Sequence, residues 1–192
     1  MPFLRKTAAR DPLPVTMSGV RMGERLLQVG VNEARLAGLL AAKVGLSGHA
    51  AMVVPDEAAA TRARAGIDDA GVLVDLHVSP LDTLPFPPAG FDAMVVHNVE
   101  NLLASLTGAQ RAAAVGEWRR VLRMGGRIVV IEGGTRSGLR ALLRPGPTAD
   151  PDYERSGGTI ATLEGAGFRP VRLLGDREGY KFIEGLKTIG DS

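Results

Sequence analysis

Cysteine is absent from the 192-residue chain, which removes disulfides, thiolate nucleophiles and sulfur-bound zinc. Histidine occurs only three times, too few to suggest an imidazole-based metal centre. Aromatic residues make up 4% of the chain, and 23 cations face 21 anions for a formal charge of +2. Despite a pI of about 9.3, neither a strong positive field nor interleaved aromatics are present for nucleic acid, and none is expected as a partner. No apolar run reaches the roughly 18–20 residues of a membrane-spanning helix. The basic start, Met1 to Thr7, leads into Asp11-Pro12-Leu13-Pro14 without the apolar stretch of a secretory signal, so a cytoplasmic location with no membrane partner is expected. A Gly-x-Ser-x-Gly elbow, a P-loop, a His-Glu-x-x-His pair and a complete dinucleotide fingerprint are all missing.

Hydrophobic residues at 45% and charged residues at 23% describe a globular chain. Its length suits one domain with a substantial core, over 20–192, preceded by an arm over 1–19. The spacing predicts a strand over 25–30 and a helix over 33–44, with Leu36, Leu39 and Leu40 on one face before Gly45 and Gly48 break it. A second strand over 50–54 leads through Pro55-Asp56-Glu57, a helix start with carboxylates suited to the positive dipole end, into a helix over 58–65. Strands follow over 71–78 and 91–97. Thr107-Gly108-Ala109-Gln110 has capping-box spacing and opens a helix carrying Val115, Trp118 and Leu122 on one side, ended by Gly125-Gly126. A β-branched strand over 127–132, a Pro- and Gly-containing stretch over 133–158, a short helix over 159–166 and two strands over 168–174 and 180–186 complete the chain. The alternation predicts an α/β fold, a doubly wound, Rossmann-like, mostly parallel sheet of about seven strands. Helices cover both faces, the chain ends in an antiparallel hairpin, and ligands belong at the carboxyl ends of the strands.

Three stretches, Leu84 to Asp92, Glu117 to Arg127 and the closing hairpin over 168–186, together resemble the class I S-adenosylmethionine-dependent methyltransferases, a likeness that extends over about 20–187. Leu84-Pro85-Phe86-Pro87-Pro88-Ala89-Gly90-Phe91-Asp92 is similar to the family's Leu-Pro-Phe, turn, Phe-Asp signature before strand four. Glu117 to Arg127 resembles the helix and Pro-Gly-Gly turn entering strand five, with Met124 in place of the proline. The closing hairpin matches the family's reversed last strand. The resemblance implies S-adenosylmethionine as cofactor and an unidentified small molecule as methyl acceptor.

The resemblance, with a two-residue displacement in the loops after strands two and three, implies cofactor contacts at Gly30, Asn32, Asp56, Asp82 and His97. Gly30 matches the first glycine of the family's Gly-x-Gly-x-Gly turn, while Asn32 and Ala34 stand at the other two, and Glu33 is able to project into the ligand space. The family's ribose-binding carboxylate aligns with Val54, two residues before Asp56, which reads either as a helix-start carboxylate or, through a shifted loop, as the ribose partner. The acidic adenine contact aligns with Pro80, two residues before Asp82, which reads equally as a turn residue.

Methyl transfer from a sulfonium is an in-line displacement that needs positioning above all. A hydroxyl or amine acceptor profits from a base, and His97, followed by Asn98 at the end of the fourth strand, is the candidate; its other reading is a strand cap. Glu100 and Glu132 are secondary candidates, read also as solvent-facing or loop-stabilising groups. Arg136, Arg140 and Arg144 recur every four residues on a basic face near the ligand rim. A methyltransferase is one functional expectation. The substitutions at Asn32, Ala34, Val54 and Pro80 keep two others open: a non-catalytic binding or interaction module on the same fold, and a site for a different nucleotide. The edge hairpin offers a route to an oligomer.

Overall fold

The computed structural model describes residues 11–99, 101–133 and 151–188. Glu100 and the Arg136, Arg140 and Arg144 stripe lie outside the described residues. The elements are α1 (Leu13–Met17), β1 (Arg25–Val29), α2 (Ala34–Val44), β2 (His49–Val54), α3 (Glu57–Ala70), β3 (Asp75–Val78), β4 (Phe91–Asn98), α4 (Gly108–Val121), β5 (Leu122–Gly133), α5 (Pro151–Arg155), α6 (Gly158–Gly165), β6 (Val171–Arg177) and β7 (Tyr180–Leu186). The seven strands form one sheet in the order β3-β2-β1-β4-β5-β7-β6. Only β7 runs against the rest: it is antiparallel to both of its neighbours, β5 and β6. The doubly wound expectation therefore holds, including the reversed strand at the end.

Alternate side chains of the central strands feed opposite faces, as the pleat requires. Leu27, Val29, Met94, Val96, Ile128 and Val130 meet Val115 and Trp118 of α4 and Leu163 of α6. Leu26, Ala93, Val95, Val129 and Ile131 meet Leu36 and Leu40 of α2 and Val15 of α1, while α3 adds Ala59, Ala60 and Ala63 beneath Met52 and Val54. Residues 13–17, assigned to an arm from the sequence, are thus part of the domain: Val15 is buried in the core. Helices α2 and α3 touch backbone to backbone. A Cβ on Gly66 would lie 1.7 Å from the carbonyl oxygen of Ala34, and one on Gly38 2.2 Å from that of Gly66.

Several boundaries differ from the sequence reading. Helix α4 ends at Val121, and Leu122 already has extended backbone, φ −72 and ψ 139; Gly125, at φ +72, bends the start of β5 instead of ending the helix. The third strand is only Asp75–Val78, because Gly71 caps α3 in the left-handed region and Val72 still bonds back to Ile67. Strand β6 starts at Val171, since Phe168 is spent in the core after α6. The capping box is present, with Thr107 and Gln110 each satisfying the other's backbone.

The two motif stretches prove to be one clamp. Arg120 donates to the carbonyls of Phe86 and Leu84 at 3.0 and 3.2 Å and pairs with Glu117, which accepts the Leu84 amide at 3.1 Å. That pairing holds the Glu117 carboxyl below its ordinary range. Trp118 Nε1 donates to the carbonyl of Leu81 at 3.1 Å. The signature residues hold the loop between β3 and β4 against α4 and leave the chemistry to the strand ends.

Candidate active site

Parallel registers bring the carboxyl ends of four strands level: Val29 lies beside both Val53 and Val96, and Val54 beside Val78. The loops after β1, β2, β3 and β4 therefore line one edge of the sheet, where ligands of open α/β folds bind. Gly30 makes the first turn. Its amide donates to the Val53 carbonyl at 2.8 Å, and its φ of +73 lies where L side chains are strained. A Cβ there would stand 3.3 Å from Leu102 Cδ2 and 3.5 Å from the carbonyl oxygen of His97, so this turn seats directly on the end of β4.

Asn32 follows, half-buried. Glu33 is the N-cap residue of α2 but makes no side-chain cap; its carboxylate accepts from Tyr180 of β7 at 3.2 Å. Burial and that neighbouring carboxylate push the Tyr180 phenol up. The expectation that Glu33 enters the ligand space is corrected to this extent: its carboxylate is held by the last hairpin.

Asp56 is the N-cap of α3. Its Oδ1 accepts the Ala59 amide at 2.7 Å, and Oδ2 makes no hydrogen bond among the described residues. Both readings of Asp56 are compatible with this geometry, since the cap uses one oxygen and the residue is exposed. Asp82 is exposed in the loop after β3. Its position is set from both sides, by the Trp118 bond to Leu81 and by Ser79 Oγ donating to the carbonyl of Thr83 at 2.8 Å.

His97 does not stand in the cleft as a base. Its side chain is on the α2 face, and the residue is 4% exposed. Ring Nε2 lies 3.0 Å from Gln28 Oε1, and Gln28 gives its own amide proton to the carbonyl of Ala37 at 3.0 Å. With its amide nitrogen donating to α2, Gln28 presents an acceptor, so His97 carries its proton on Nε2. Nδ1 is buried with no hydrogen-bond partner among the described residues. Burial drives the imidazole pKa down to about 4, which keeps the ring neutral. A lone histidine at a strand end gives no sign of which face it takes; the alternation Val95, Val96, His97 assigns it to the face of Val95 once the core is known. Its neighbour Asn98 faces the other way. Asn98 Oδ1 accepts the Leu103 amide at 2.8 Å and Nδ2 donates to Glu132 Oε1 at 3.0 Å, which shapes the loop behind the Gly30 turn. Thr159 and Tyr153, which join this group, carry no sequence signal, because only the fold brings residues 132, 153 and 159 together.

Among the described residues no cluster of three or more His, Asp or Glu is placed to hold a metal, and no helix is long and apolar enough to cross a membrane. Residues 27–130 match the family described as the methyltransferase domain. The chain is 30% identical over 119 residues to the ubiquinone/menaquinone biosynthesis C-methyltransferase UbiE of Chromobacterium violaceum and 31% identical over 119 residues to that of Nitrosospira multiformis. Each match spans 62% of this chain and 46% of the relative, so the chain covers about half the length of the curated relatives it matches. Its fold superposes on a SAM dependent methyltransferase from Aquifex aeolicus with a TM-score of 0.68 at 18% identity, over 91% of this chain and 88% of that one. It superposes on the [4+2]-cyclase SpnF with a TM-score of 0.66 at 17% identity, over 92% and 78%. The second neighbour illustrates that this architecture hosts more than one reaction. With more than half of its length matched by the domain family, and with the reversed β7 and clamped signature loop in place, the chain belongs to the class I S-adenosylmethionine-dependent methyltransferases.

Proposed function

We propose that the protein transfers the methyl group of S-adenosylmethionine to a small molecule. The observation that carries this reading is the left-handed Gly30 turn, set at the level strand ends and backed by the loop after β4. The groups around it suit a ribosyl sulfonium. Gly30 and Asn32 would offer close backbone approach, Asp56 Oδ2 is open to accept from ribose hydroxyls, and Asp82 stands on a fixed loop for the adenine amine. When bound, the cofactor supplies an electrophilic methyl carbon with a good thioether leaving group. The chain's own part is to orient an acceptor in line with that carbon and to exclude water, which together account for much of the rate in such displacements.

The acceptor meets the site from the side of Asn98 and Glu132, where α4, α5 and α6 cover the sheet. A small-molecule acceptor is in keeping with the relatives whose names describe a quinone-pathway C-methyltransferase. Calorimetric titration with S-adenosylmethionine and S-adenosylhomocysteine tests the reading. Micromolar affinity, on the order of −8 kcal/mol, is expected. A folded sample that ignores both at millimolar concentration would sink the proposal and leave a non-catalytic module on the same fold.

A further inference from the structure

The ends of β4 and β5 carry a second polar group, on the α4 face and apart from the Gly30 turn. Asn98 and Glu132 are register partners, and Asn98 Nδ2 donates to Glu132 Oε1 at 3.0 Å. Thr159, in the first turn of α6, donates its hydroxyl proton to the same oxygen. That hydroxyl has one proton, now committed, so at the 2.5 Å contact with Tyr153 the phenol is the donor and Thr159 Oγ1 the acceptor. Burial raises the Tyr153 phenol well above its ordinary pKa, so it keeps the proton it donates. Asn98 is likewise fixed, because its Oδ1 accepts the Leu103 amide. Every donor thus has one direction, and the two bonds to Glu132 converge on Oε1. Oε2 takes no hydrogen bond among the described residues.

The surroundings show why this is more than a brace. Asn98, Thr159 and Tyr153 are buried, whereas Glu132 is half-buried. The Arg111 guanidinium stacks 4.4 Å above the Tyr153 ring and donates to the carbonyls of Leu103 and Leu106, so it holds the loop after β4 and packs on the ring. A carboxylate used only for structure satisfies both oxygens where it can. This one is oriented through a single oxygen by Asn98 and by Thr159, itself held by Tyr153, at the sheet edge where the acceptor must sit.

Resting on the methyltransferase reading, the geometry points to Glu132 as the group that binds and deprotonates the acceptor, and to an acceptor that presents an O–H or N–H to Oε2. The acceptor's X–H bond breaks and its proton passes to Oε2. The freed pair on oxygen or nitrogen forms the bond to the methyl carbon, while sulfur keeps the pair of the broken carbon–sulfur bond. Protonated Glu132 then returns its proton to water. Thr159 and Asn98 are positioning residues in this scheme.

Carbodiimide-driven coupling of an amine to carboxylates, mapped by mass spectrometry on the ligand-free protein, reads the open oxygen without turnover. Glu132 is expected to label at a rate within about tenfold of exposed Asp82; an unlabelled Glu132 beside a labelled Asp82 overturns the geometry. S-adenosylhomocysteine is then titrated into wild type and Glu132→Gln, with equal affinity within about threefold expected. Loss confined to the variant overturns the acceptor-side assignment alone, whereas no binding to either protein overturns the methyltransferase reading and this inference with it. Finally, a panel of phenols, catechols, anilines and primary amines is assayed with cofactor labelled in its methyl group. Methyl on oxygen or nitrogen is expected, with kcat at least 100-fold lower in Glu132→Gln, the scale of a lost general base, and Glu132→Asp in between. Product methylated only on carbon, no product, or a Glu132→Gln rate within threefold of wild type each overturns it. Thr159→Val should lower kcat about tenfold at unchanged cofactor KM, and Thr159→Ser should restore it; equal loss in both overturns the positioning role.

Discussion

Asp92, at the second position of β4, accepts the backbone amide of Arg25, the first residue of β1, through Oδ2 at 2.8 Å across 67 residues of chain. Arg123 Nε donates to the other oxygen at 2.5 Å, so one carboxylate ties together the entries of β1, β4 and β5. These partners outweigh burial and hold its pKa down at about 2, against an ordinary 3.8. A depressed carboxylate contributes stability above its unfolded value and loses it as pH falls through the folded one. At 1.36 kcal/mol per pH unit the contribution is about 2 kcal/mol, present at pH 7 and lost between about pH 4 and pH 2. Asp92→Ala should therefore lower Tm by roughly 4–8 °C at pH 7, with the difference from wild type shrinking below pH 4 in a calorimetric series.

His97 gives the opposite kind of evidence, a neutral group that must charge. Its folded pKa of about 4 lies below the ordinary 6.5. The unfolded chain then binds more protons between these values, so stability is full above pH 6.5 and falls as pH drops toward 4. The loss is about 3 kcal/mol, in a window distinct from that of Asp92. His97→Gln should flatten the melting-temperature slope between pH 6.5 and 4; an unchanged slope would show that another group carries it.

The cap and the ligand role of Asp56 separate by substitution. Asp56→Ser keeps an oxygen for the Ala59 amide and should leave Tm within about 2 °C, while S-adenosylhomocysteine binding weakens at least tenfold, on the order of one charge-assisted hydrogen bond. Asp56→Ala should lose both, with about 1 kcal/mol of stability. Calorimetry alongside thermal melting reads the two effects independently; full affinity in Asp56→Ser would leave this residue a cap alone.

Two glycines should respond differently to alanine. At Gly66 the new Cβ meets the backbone of Ala34 at 1.7 Å, and a helix main chain has no rotamer to yield. Gly66→Ala is expected to cost more than about 3 kcal/mol through forced separation of α2 and α3, visible as a large fall in Tm or loss of folded protein. At Gly30 the cost is the left-handed backbone, roughly 1–2 kcal/mol, plus a flexible Leu102 tip that can move. Gly30→Ala should fold and bind S-adenosylhomocysteine about tenfold more weakly or worse.

The central strands, the closing antiparallel hairpin and the order of helices were legible because period and composition report local burial: 93–96 is apolar throughout and must lie between two helix layers. The elements that escaped are those with little local signal. Helix α1 is five residues long and exists because Val15 finds a place beside Leu36 and Leu40, and the end of α4 follows from the extended backbone at Leu122, not from the glycines after it. Asp92 and Glu117 stood within recognisable motifs, yet Asp92 holds groups 31 and 67 residues away and Glu117 the Leu84 amide 33 away, so the motifs were readable while their purpose was not.

Sequence alone determined the architecture, the family and the short set of residues at the strand ends, because alternating burial and glycine-rich turns are written in neighbouring positions. Tertiary structure decided which of those residues face the ligand edge. A one-residue step along β4 turns His97 into the α2-side core and Asn98 toward Glu132, because successive side chains of a strand point to opposite faces. The same closure of the sheet brought Thr159 and Tyr153 to Glu132, and no spacing along the chain encodes that meeting.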